Sequence, residues 1–331
     1  MNAPRPGEIL VGKYRVEKVL GNGGMGVVVS ARHLQLDESV AIKFLLPSLA
    51  AQQTQVARFL REGKAAVKIK SEHVARVIDV GTLDDTGAPY MVMELLDGSD
   101  LAELLRKESR IPVDEAVLFV MQACEALAEA HLLGIVHRDL KPANLFLTAR
   151  ADGSPCIKVL DFGISKLRDG AMEGAALTNT NGMMGSPLYM SPEQLRDPKN
   201  VDPRSDIWAF GVILFELVTG NRPFEADSIP QLIMRVIADP APSIVPLLAD
   251  VPAGFDDVVS RCLLKDPTQR FGDVHELARA LAPFGPPDES ARSVERIARV
   301  IAGDKAAGPR RSRTGSTLRN PSDLSGSNPQ A

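Results

Sequence analysis

Apolar residues follow two different periods along this chain, and the change falls near residue 97. Before it, β-branched runs are separated by Gly or polar turns, a pattern typical of strands. One stretch, residues 52–67, instead places Val56, Phe59 and Leu60 at helical spacing. The strand-like runs cover residues 16–20, 27–31, 40–45, 74–80 and 90–94. The first part of the chain is therefore predicted to be a small sheet with one helix.

Beyond residue 97 the apolar positions recur with a helical period. The helical stretches cover residues 112–133, 207–218, 229–237, 256–264 and 274–281. The pattern predicts an α+β protein with an N-terminal extension (1–13), a β-rich lobe (14–96), a larger and mostly helical lobe (97–284) and a C-terminal tail (285–331). In the tail, residues 290–301 favour one amphipathic helix, and the polar remainder is expected to be disordered. A cleft between two lobes is a usual place for a ligand.

Composition narrows the class of protein. The chain has 331 residues, 44% of them apolar and 24% charged, with a formal net charge of −4, which gives no reason to expect a nucleic-acid partner. Its three cysteines (Cys124, Cys156 and Cys262) lack metal-ligand spacing and are predicted to be reduced thiols. No apolar run reaches the roughly 18 residues that cross a bilayer, and the start lacks a signal peptide. A cytoplasmic protein without a membrane span is expected.

The run from His137 to Asn144 carries the most specific chemistry. Asp139 can accept a proton from an attacking hydroxyl, Lys141 can steady phosphoryl oxygens, and Asn144 can hold a metal ion. Asp161 follows an apolar strand, and together with Asn144 it offers the hard oxygen ligands that suit Mg²⁺. Asp139, Lys141 and Asn144 are therefore the candidate catalytic residues, and Asn144 and Asp161 the candidate metal ligands.

A glycine-rich segment, residues 21–26, fits G-x-G-x-x-G, which dinucleotide-binding folds also use. In those folds a helix follows the glycines, whereas here Val27 to Val29 continue as a strand. A strand-turn-strand loop of this kind can fold over a triphosphate; an ordinary glycine-rich hairpin is the alternative. Lys43 on a later strand is a candidate phosphate ligand, and Glu62 on the lone helix is its candidate partner.

Taken together, these motifs resemble the protein kinase family over about residues 14–284. The residues 137–144 resemble the catalytic loop H-R-D-L-x-x-x-N, and Asp161-Phe162-Gly163 resembles the metal-binding D-F-G. The resemblance implies a bilobal protein kinase fold with ATP in the cleft, Mg²⁺ (with Mn²⁺ as the alternative ion) and a hinge that binds adenine. The implied nucleotide-binding residues are Leu20, Gly21, Gly23, Gly26, Val28, Ala41, Lys43, Glu62, Met93, Glu94, Leu96, Asp100 and Phe146.

Three further residues resemble the structural framework of that family. Glu193, in a segment like A-P-E, is expected to pair with Arg270 inside the helical lobe. Asp206 is expected to tie down the backbone of the catalytic loop. His137 is expected to brace backbone rather than act as a base, because in the family the aspartate accepts the proton.

Lys141 resembles kinases that phosphorylate Ser and Thr, and the chain is identified as a bacterial, eukaryotic-like Ser/Thr protein kinase. Thr178 and Thr180 lie where such kinases often phosphorylate themselves, and Arg138 is the cation expected to bind that phosphate; the alternative is a merely polar loop. Protein substrates and a transient homodimer are the expected partners. Other hypotheses are an inactive scaffold with a kinase fold, a small-molecule phosphotransferase and a Rossmann nucleotide-binding module.

Overall fold

The computed structural model describes residues 4–22, 26–83, 87–162 and 187–307. Its first part is an antiparallel sheet in the order β1-β2-β3-β4-β6-β5, with two helices inserted between β4 and β5. The strands are β1 (Ile9–Leu10), β2 (Tyr14–Asn22), β3 (Gly26–His33), β4 (Glu38–Leu45), β5 (Val77–Thr82) and β6 (Pro89–Glu94). The helices are α1 (Pro47–Ala50) and α2 (Gln53–Ala66).

Alternation along β4 explains how this sheet uses both of its faces. Val40, Ile42 and Phe44 are buried in one apolar cluster with residues of β2, β3 and β6. Successive strand residues point to opposite faces, so Ala41 and Lys43 lie on the other face. The sheet therefore has a second, partly polar face. Lys43 lies on this face together with the residues of β3 and β6 that pair with Ala41 and Lys43.

The larger lobe packs its helices around the buried helices α4 and α6, and it also holds a small sheet in the order β7-β8-β9. The strands of that sheet are β7 (Ser99–Asp100), β8 (Leu145–Ala149) and β9 (Pro155–Val159). The helices are α3 (Leu101–Glu108), α4 (Val113–Leu132), α5 (Pro192–Arg196), α6 (Arg204–Thr219), α7 (Ile229–Ala238), α8 (Phe255–Cys262), α9 (Val274–Leu281) and α10 (Pro287–Ala307).

The observed structure differs from the elements predicted from the sequence mainly at the short strands. Strand β5 begins at Val77, three residues later than expected, because Val74 instead forms an isolated bridge with Val159. Strand β1 adds to the sheet ahead of residue 14, and Leu10 joins its core. Helix α10 covers the amphipathic stretch expected at 290–301 and packs on α4 and α9, with Ile297 fully buried.

Within the described residues, no helix is both long and apolar enough to cross a membrane. The longest of them, α10 and α4, are accounted for by packing inside the larger lobe.

Candidate active site

One buried carboxylate holds the backbone of the loop that carries Asp139. Asp206, in the first turn of α6 and 1% exposed, accepts hydrogen bonds from the amides of His137 and Arg138, each at 2.9 Å. The ring nitrogen Nε2 of His131 lies 2.8 Å from the same carboxylate. Burial alone would raise the pKa of Asp206, but the hydrogen bond and charge of His131 outweigh it and hold that pKa below its ordinary value. Asp206 is therefore ionised, and the predicted tie to the loop is confirmed.

These bonds stabilise a backbone conformation that the chain would otherwise avoid. Arg138 has a φ of 65°, which costs a residue with a side chain of order 1 kcal/mol or more. Its amide is fixed by Asp206, and its carbonyl accepts a hydrogen bond of 3.0 Å from Nε2 of Gln194, at the start of α5. The larger lobe thus fixes the turn immediately before Asp139 from two sides.

The carboxylate of Asp139 is oriented by the other two candidate catalytic residues. Lys141 Nζ donates to Asp139 Oδ2 at 3.1 Å, and Asn144 Nδ2 donates to the same oxygen at 3.2 Å and to the Asp139 carbonyl at 2.7 Å. Asp139 is 9% exposed, so these bonds form in a site largely protected from water. The structure therefore brings the three predicted catalytic residues together around one carboxylate oxygen.

Asn144 also links this loop to the predicted metal-binding aspartate. Its carbonyl accepts a hydrogen bond of 2.9 Å from the amide of Leu160, the residue before Asp161. The amide nitrogen of the Asn144 side chain is used by Asp139, and the oxygen Oδ1 is the other polar atom of the same side chain. That oxygen and the Asp161 carboxylate are hard donors of the kind Mg²⁺ takes, so this pair fits the predicted metal role.

Asp161 meets Lys43 across the cleft between the lobes. Lys43 Nζ lies 2.6 Å from Asp161 Oδ1 and 3.9 Å from Glu62 Oε1 on α2. Burial alone would lower the pKa of Lys43, but the charges of Asp161 and Glu62 outweigh it and raise that pKa. Burial alone would raise the pKa of Asp161, and the charge of Lys43 reverses this and lowers it. Both groups are charged near neutrality, and Lys43 bonds Asp161 more closely than Glu62.

The ring of His137 supports the chain next to Asp161 instead of offering a base. Its Nε2 lies 3.0 Å from the Leu160 carbonyl, and its ring packs on Phe162 with centroids 4.8 Å apart. Burial lowers its pKa below the ordinary value, so the ring is neutral near pH 7 and donates from Nε2. This placement agrees with the bracing role expected for His137.

The glycine-rich segment joins β2 to β3, with Gly21 near the end of one strand and Gly26 at the start of the next. A Cβ at Gly26 would lie 2.0 Å from the Phe44 carbonyl oxygen, so only glycine fits against this neighbouring strand. Gly23 lies outside the described residues. A strand continues after the glycines as predicted, which excludes the helix that a Rossmann unit would place there.

The residues predicted to cover adenine line one face of the small lobe's sheet. Val28 pairs with Lys43 and Ala41 pairs with Met93, and directly paired residues of neighbouring strands share a face. Ala41 is buried, whereas Leu20, on β2, is 44% exposed. The sheet thus groups Val28, Ala41, Lys43 and Met93 on the face that also carries the contact with Asp161.

The predicted hinge leaves β6 at Glu94, passes Leu96 and reaches Asp100. Asp100 is the N-cap of α3, where its Oδ1 accepts a hydrogen bond of 2.8 Å from the Glu103 amide. A cap of this kind stabilises a helix by about 1 kcal/mol. Asp100 therefore has a structural role in addition to its predicted contact with the nucleotide. Phe146 pairs directly with Asp100 across β7 and β8.

Sequence reasoning missed a contact that joins this hinge to β9. Lys158 Nζ lies 2.9 Å from Glu94 Oε1, although the two residues are 64 positions apart in the chain. The available signal was a lysine in an otherwise apolar strand, three residues before Asp161. Its partner could not be identified from the sequence, because nothing local relates β6 to β9.

Deeper in the larger lobe, the expected pairing of Arg270 with Glu193 is confirmed. The guanidinium makes two hydrogen bonds to the carboxylate, of 2.7 and 2.9 Å, and lies against the ring of Trp208. Burial alone would raise the pKa of Glu193, but the hydrogen bonds and charge of Arg270 lower it. This fork-like pair joins α5 to the segment before α9. The predicted regulatory residues Thr178 and Thr180 lie outside the described residues.

Comparison with known proteins gives one consistent result. A family model described as a protein kinase domain matches residues 14–281. Serine/threonine-protein kinase pkn3 of Myxococcus xanthus is 40% identical over 266 residues, which are 80% of this chain and 48% of that protein. The probable serine/threonine-protein kinase PknB of Lactococcus lactis is 37% identical over 277 residues, 83% of this chain and 42% of that protein. The chain thus spans less than half the length of these curated relatives.

Solved structures agree with the sequence relatives. The crystal structure of the Mycobacterium tuberculosis PknI kinase domain has a TM-score of 0.66 to this chain at 30% identity, and the match covers 84% of this chain and 98% of that one. A second crystal structure of that domain gives a TM-score of 0.63 at 27% identity and covers 89% of this chain and 100% of that one. The likeness therefore covers both lobes and the cleft between them.

Proposed function

Since this chain belongs to the protein kinase domain family, we propose that it transfers the γ-phosphoryl group of ATP to serine or threonine hydroxyls of proteins. The predicted family and its bilobal α+β fold are confirmed by the matches over most of the chain. The observation that carries the proposed reaction is the placement of Lys141 and Asn144 within 3.2 Å of one oxygen of Asp139. Names of the relatives support serine and threonine as the acceptors.

In this reaction Asp139 orients the substrate hydroxyl and accepts its proton as the oxygen attacks phosphorus. Lys141, already bonded to Asp139, is placed to neutralise charge on the migrating phosphoryl oxygens. Lys43, from the smaller lobe, is proposed to bind the phosphates of ATP with its ammonium group. Bound at Asn144 and Asp161, Mg²⁺ would neutralise charge on the phosphates.

The adenine would lie against the face of the small sheet that carries Val28, Ala41 and Met93, with Phe146 beneath it. The backbones of Glu94 and Leu96 are the proposed hydrogen-bonding partners of the base. Gly21, Gly23 and Gly26 would let the chain approach the phosphates closely, since no Cβ intervenes. Leu20 and Asp100 are proposed to contact the base and the ribose from the two ends of the site.

We also propose that phosphate on Thr178 or Thr180 would be bound by Arg138. A dianion there would form charge-assisted hydrogen bonds with the guanidinium. Replacing both threonines with alanine should lower activity, and mass spectrometry of active protein should find phosphate on this segment. Full activity without such phosphate would reject the proposed regulation by Thr178 and Thr180. It would not contradict the proposed phosphoryl transfer. Activation in trans through a transient homodimer, a cytoplasmic location and the absence of a nucleic-acid partner stay predictions.

The direct test is incubation with γ-labelled ATP and Mg²⁺ in the presence of a generic basic protein substrate. Native protein should label the substrate on serine or threonine, and Asp161→Asn should not. Asp152→Asn, a change of the same kind on an exposed turn, is the matched control and should label normally. Binding of nucleotide without label in any variant would favour the inactive scaffold. Label on a small molecule alone would favour the small-molecule phosphotransferase.

A further inference from the structure

The hinge of the proposed nucleotide site is fastened to the larger lobe by the carboxylate of Glu94. This residue, the last of β6, places Oε1 2.9 Å from Lys158 Nζ on β9. The two side chains are 30% and 15% exposed, so water screens this ion pair less than one on the open surface. Strand β9 leads within two residues to Asp161. The pair therefore joins the segment proposed to bind adenine to the segment proposed to bind the metal.

A second donor fixes the same carboxylate. The amide of Arg76, just ahead of β5, donates to Glu94 Oε1 at 2.8 Å, and the Arg76 carbonyl accepts from the Glu94 amide at 3.0 Å. The Glu94 side chain is thus turned toward Arg76 and Lys158. Its carboxylate serves the framework, while the backbone that follows Glu94 forms the hinge.

Lys158 also belongs to a row of residues beneath the proposed adenine position. Asp100 pairs with Phe146, and Phe146 pairs with Lys158, so the three side chains lie in a row on one face of the small sheet. The hinge passes close over this row at Gly98, where a Cβ would lie 3.3 Å from Cε1 of Phe146 and 2.1 Å from the Leu147 carbonyl oxygen. The stem of Lys158 therefore runs beside the floor of the site, and its ammonium reaches the hinge.

We propose that Lys158 is a positioning residue for the nucleotide, which acts through Glu94 to set the separation between the hinge and the floor formed by Phe146. This inference rests on the proposed function, because it assigns a role at the same nucleotide site. Lys158 touches neither the phosphates nor the reacting atoms in this role. Its loss should therefore weaken the binding of adenine nucleotides and leave the chemical step intact.

Substituting Lys158→Met removes the ammonium and keeps an apolar stem of similar length. Because the hinge would no longer be held at its distance from Phe146, the KM for ATP and the Kd for ADP should rise roughly tenfold, equivalent to about 1.4 kcal/mol. The value of kcat at saturating ATP should stay within about twofold. Lys158→Arg, which keeps the charge and can still reach Glu94, should restore most of the affinity.

Lys107→Met is the matched control. Lys107 also lies 2.9 Å from a glutamate, Glu103, but this pair is on the exposed surface of α3, with side chains 61% and 42% exposed. Its loss should change neither KM nor Kd, because exposed pairs contribute little. A change of equal size in both variants would mean that the nucleotide responds to net charge and would overturn the proposal.

The experiment titrates a fluorescent ADP analogue and, in parallel, ATP in the labelling assay, with thermal unfolding of each variant as the check on folding. A lower melting temperature for Lys158→Met with unchanged Kd and KM would show a purely structural pair and reject the proposal. Should Lys158→Met fail to fold, Glu94→Gln addresses the same contact and must raise the Kd for ADP. Failure of native protein to bind ADP would instead reject the proposed function itself.

Discussion

The loop that carries Asp139 and helix α2 each bring one proposed functional residue to the cleft, and the contacts of the two residues differ. The loop's backbone is bonded at 2.9 Å to Asp206, which is almost completely buried. Glu62 on α2 lies 3.9 Å from Lys43, the residue it is predicted to fix. The group proposed to accept the proton is thus fixed by the core of the larger lobe, whereas the carboxylate of Glu62 lies beyond hydrogen-bonding distance of the ammonium that it is predicted to orient.

Local sequence explains part of this contrast. Helix α2 begins at Gln53, its N-cap residue Gln52 makes no side-chain capping hydrogen bond, and the helix carries Gly63 in its interior. An interior glycine costs a helix about 1 kcal/mol relative to alanine. Gly63 is required nonetheless, because a Cβ there would lie 2.8 Å from Val80 and 2.9 Å from Met91. The close packing of α2 on the sheet is therefore gained at the expense of the helix's intrinsic stability.

The segment after α2 attaches the helix to the larger lobe. The carbonyl of His73 accepts from the Val159 amide at 2.8 Å, and its Nδ1 lies 2.8 Å from the Ile157 carbonyl. The Lys70 amide donates to Glu129 on α4 at 2.8 Å. Helix α2 is therefore anchored to the larger lobe at its C-terminal end.

The largest effect is expected from Asp206→Asn. The substitution removes a buried charge that accepts hydrogen bonds from two amides and faces His131. Breaking such an interaction should lower the free energy of unfolding by about 3 kcal/mol and abolish activity. Urea denaturation and the labelling assay measure both quantities. Asp202→Asn, at a neighbouring exposed position, should change neither; an active, fully stable Asp206→Asn would show that the loop is held by something else.

A smaller and different effect is expected from Glu62→Gln. The charge near Lys43 is lost while the shape of the side chain is kept, so kcat should fall roughly tenfold, equivalent to about 1.4 kcal/mol of transition-state stabilisation. The free energy of unfolding should fall by less than in Asp206→Asn, because glutamine keeps the packing of the side chain and the 3.9 Å separation from Lys43 is too long for a hydrogen bond. If Glu62→Gln lowered the free energy of unfolding as much as Asp206→Asn does, the loop that carries Asp139 and helix α2 would not differ in this respect.

These predictions depend on residues that the sequence identifies well and on others that it does not. Asp139, Lys141, Asn144 and Asp161 were predicted because their chemistry lies within short motifs. The Lys158–Glu94 contact was not predicted, because it depends on where a distant element lies. The capping role of Asp100 was also missed, although its signal is local: an aspartate lies three residues before Glu103 at the start of a helix. The two-residue strands β1 and β7 exist only through their pairing partners, and so no local pattern marks them.

Acidification should loosen the anchor of α2 through His73. Burial lowers the pKa of His73 to about 4, whereas an unfolded histidine has a pKa of about 6.5. The unfolded state therefore binds more protons between these values, and stability that is complete above pH 6.5 is lost as the pH falls toward 4. Between pH 7 and 5.5 the loss from this group should be about 1 kcal/mol.

Urea denaturation of native protein and of His73→Gln at both pH values isolates that contribution. The glutamine variant should lose about 1 kcal/mol less than native protein over the same interval, because it lacks the titrating ring. His275→Gln, at a half-buried position in α9, is the matched variant that controls for the loss of a histidine elsewhere in the larger lobe. An identical pH dependence in native protein and His73→Gln would contradict the assignment to His73.

The smallest effect is expected from Phe146→Leu in the floor of the nucleotide site. The proposed contact with adenine should weaken by a few tenths to about 1 kcal/mol, because a leucine fills most of the same space. The KM for ATP should rise roughly two- to fivefold with kcat unchanged. An unchanged KM would show that the ring of Phe146 does not contribute to the binding of adenine.

Amide hydrogen exchange tests the contrast between loop and helix most directly. The amides of His137 and Arg138, which donate to Asp206, should exchange only through global unfolding, and their opening free energies should equal the total stability. Amides in the first two turns of α2 should exchange through local opening with a free energy several kcal/mol smaller. Equal protection of the two regions, or faster exchange in the loop than in α2, would contradict the claim that the larger lobe holds the loop more firmly than the smaller lobe holds the start of α2.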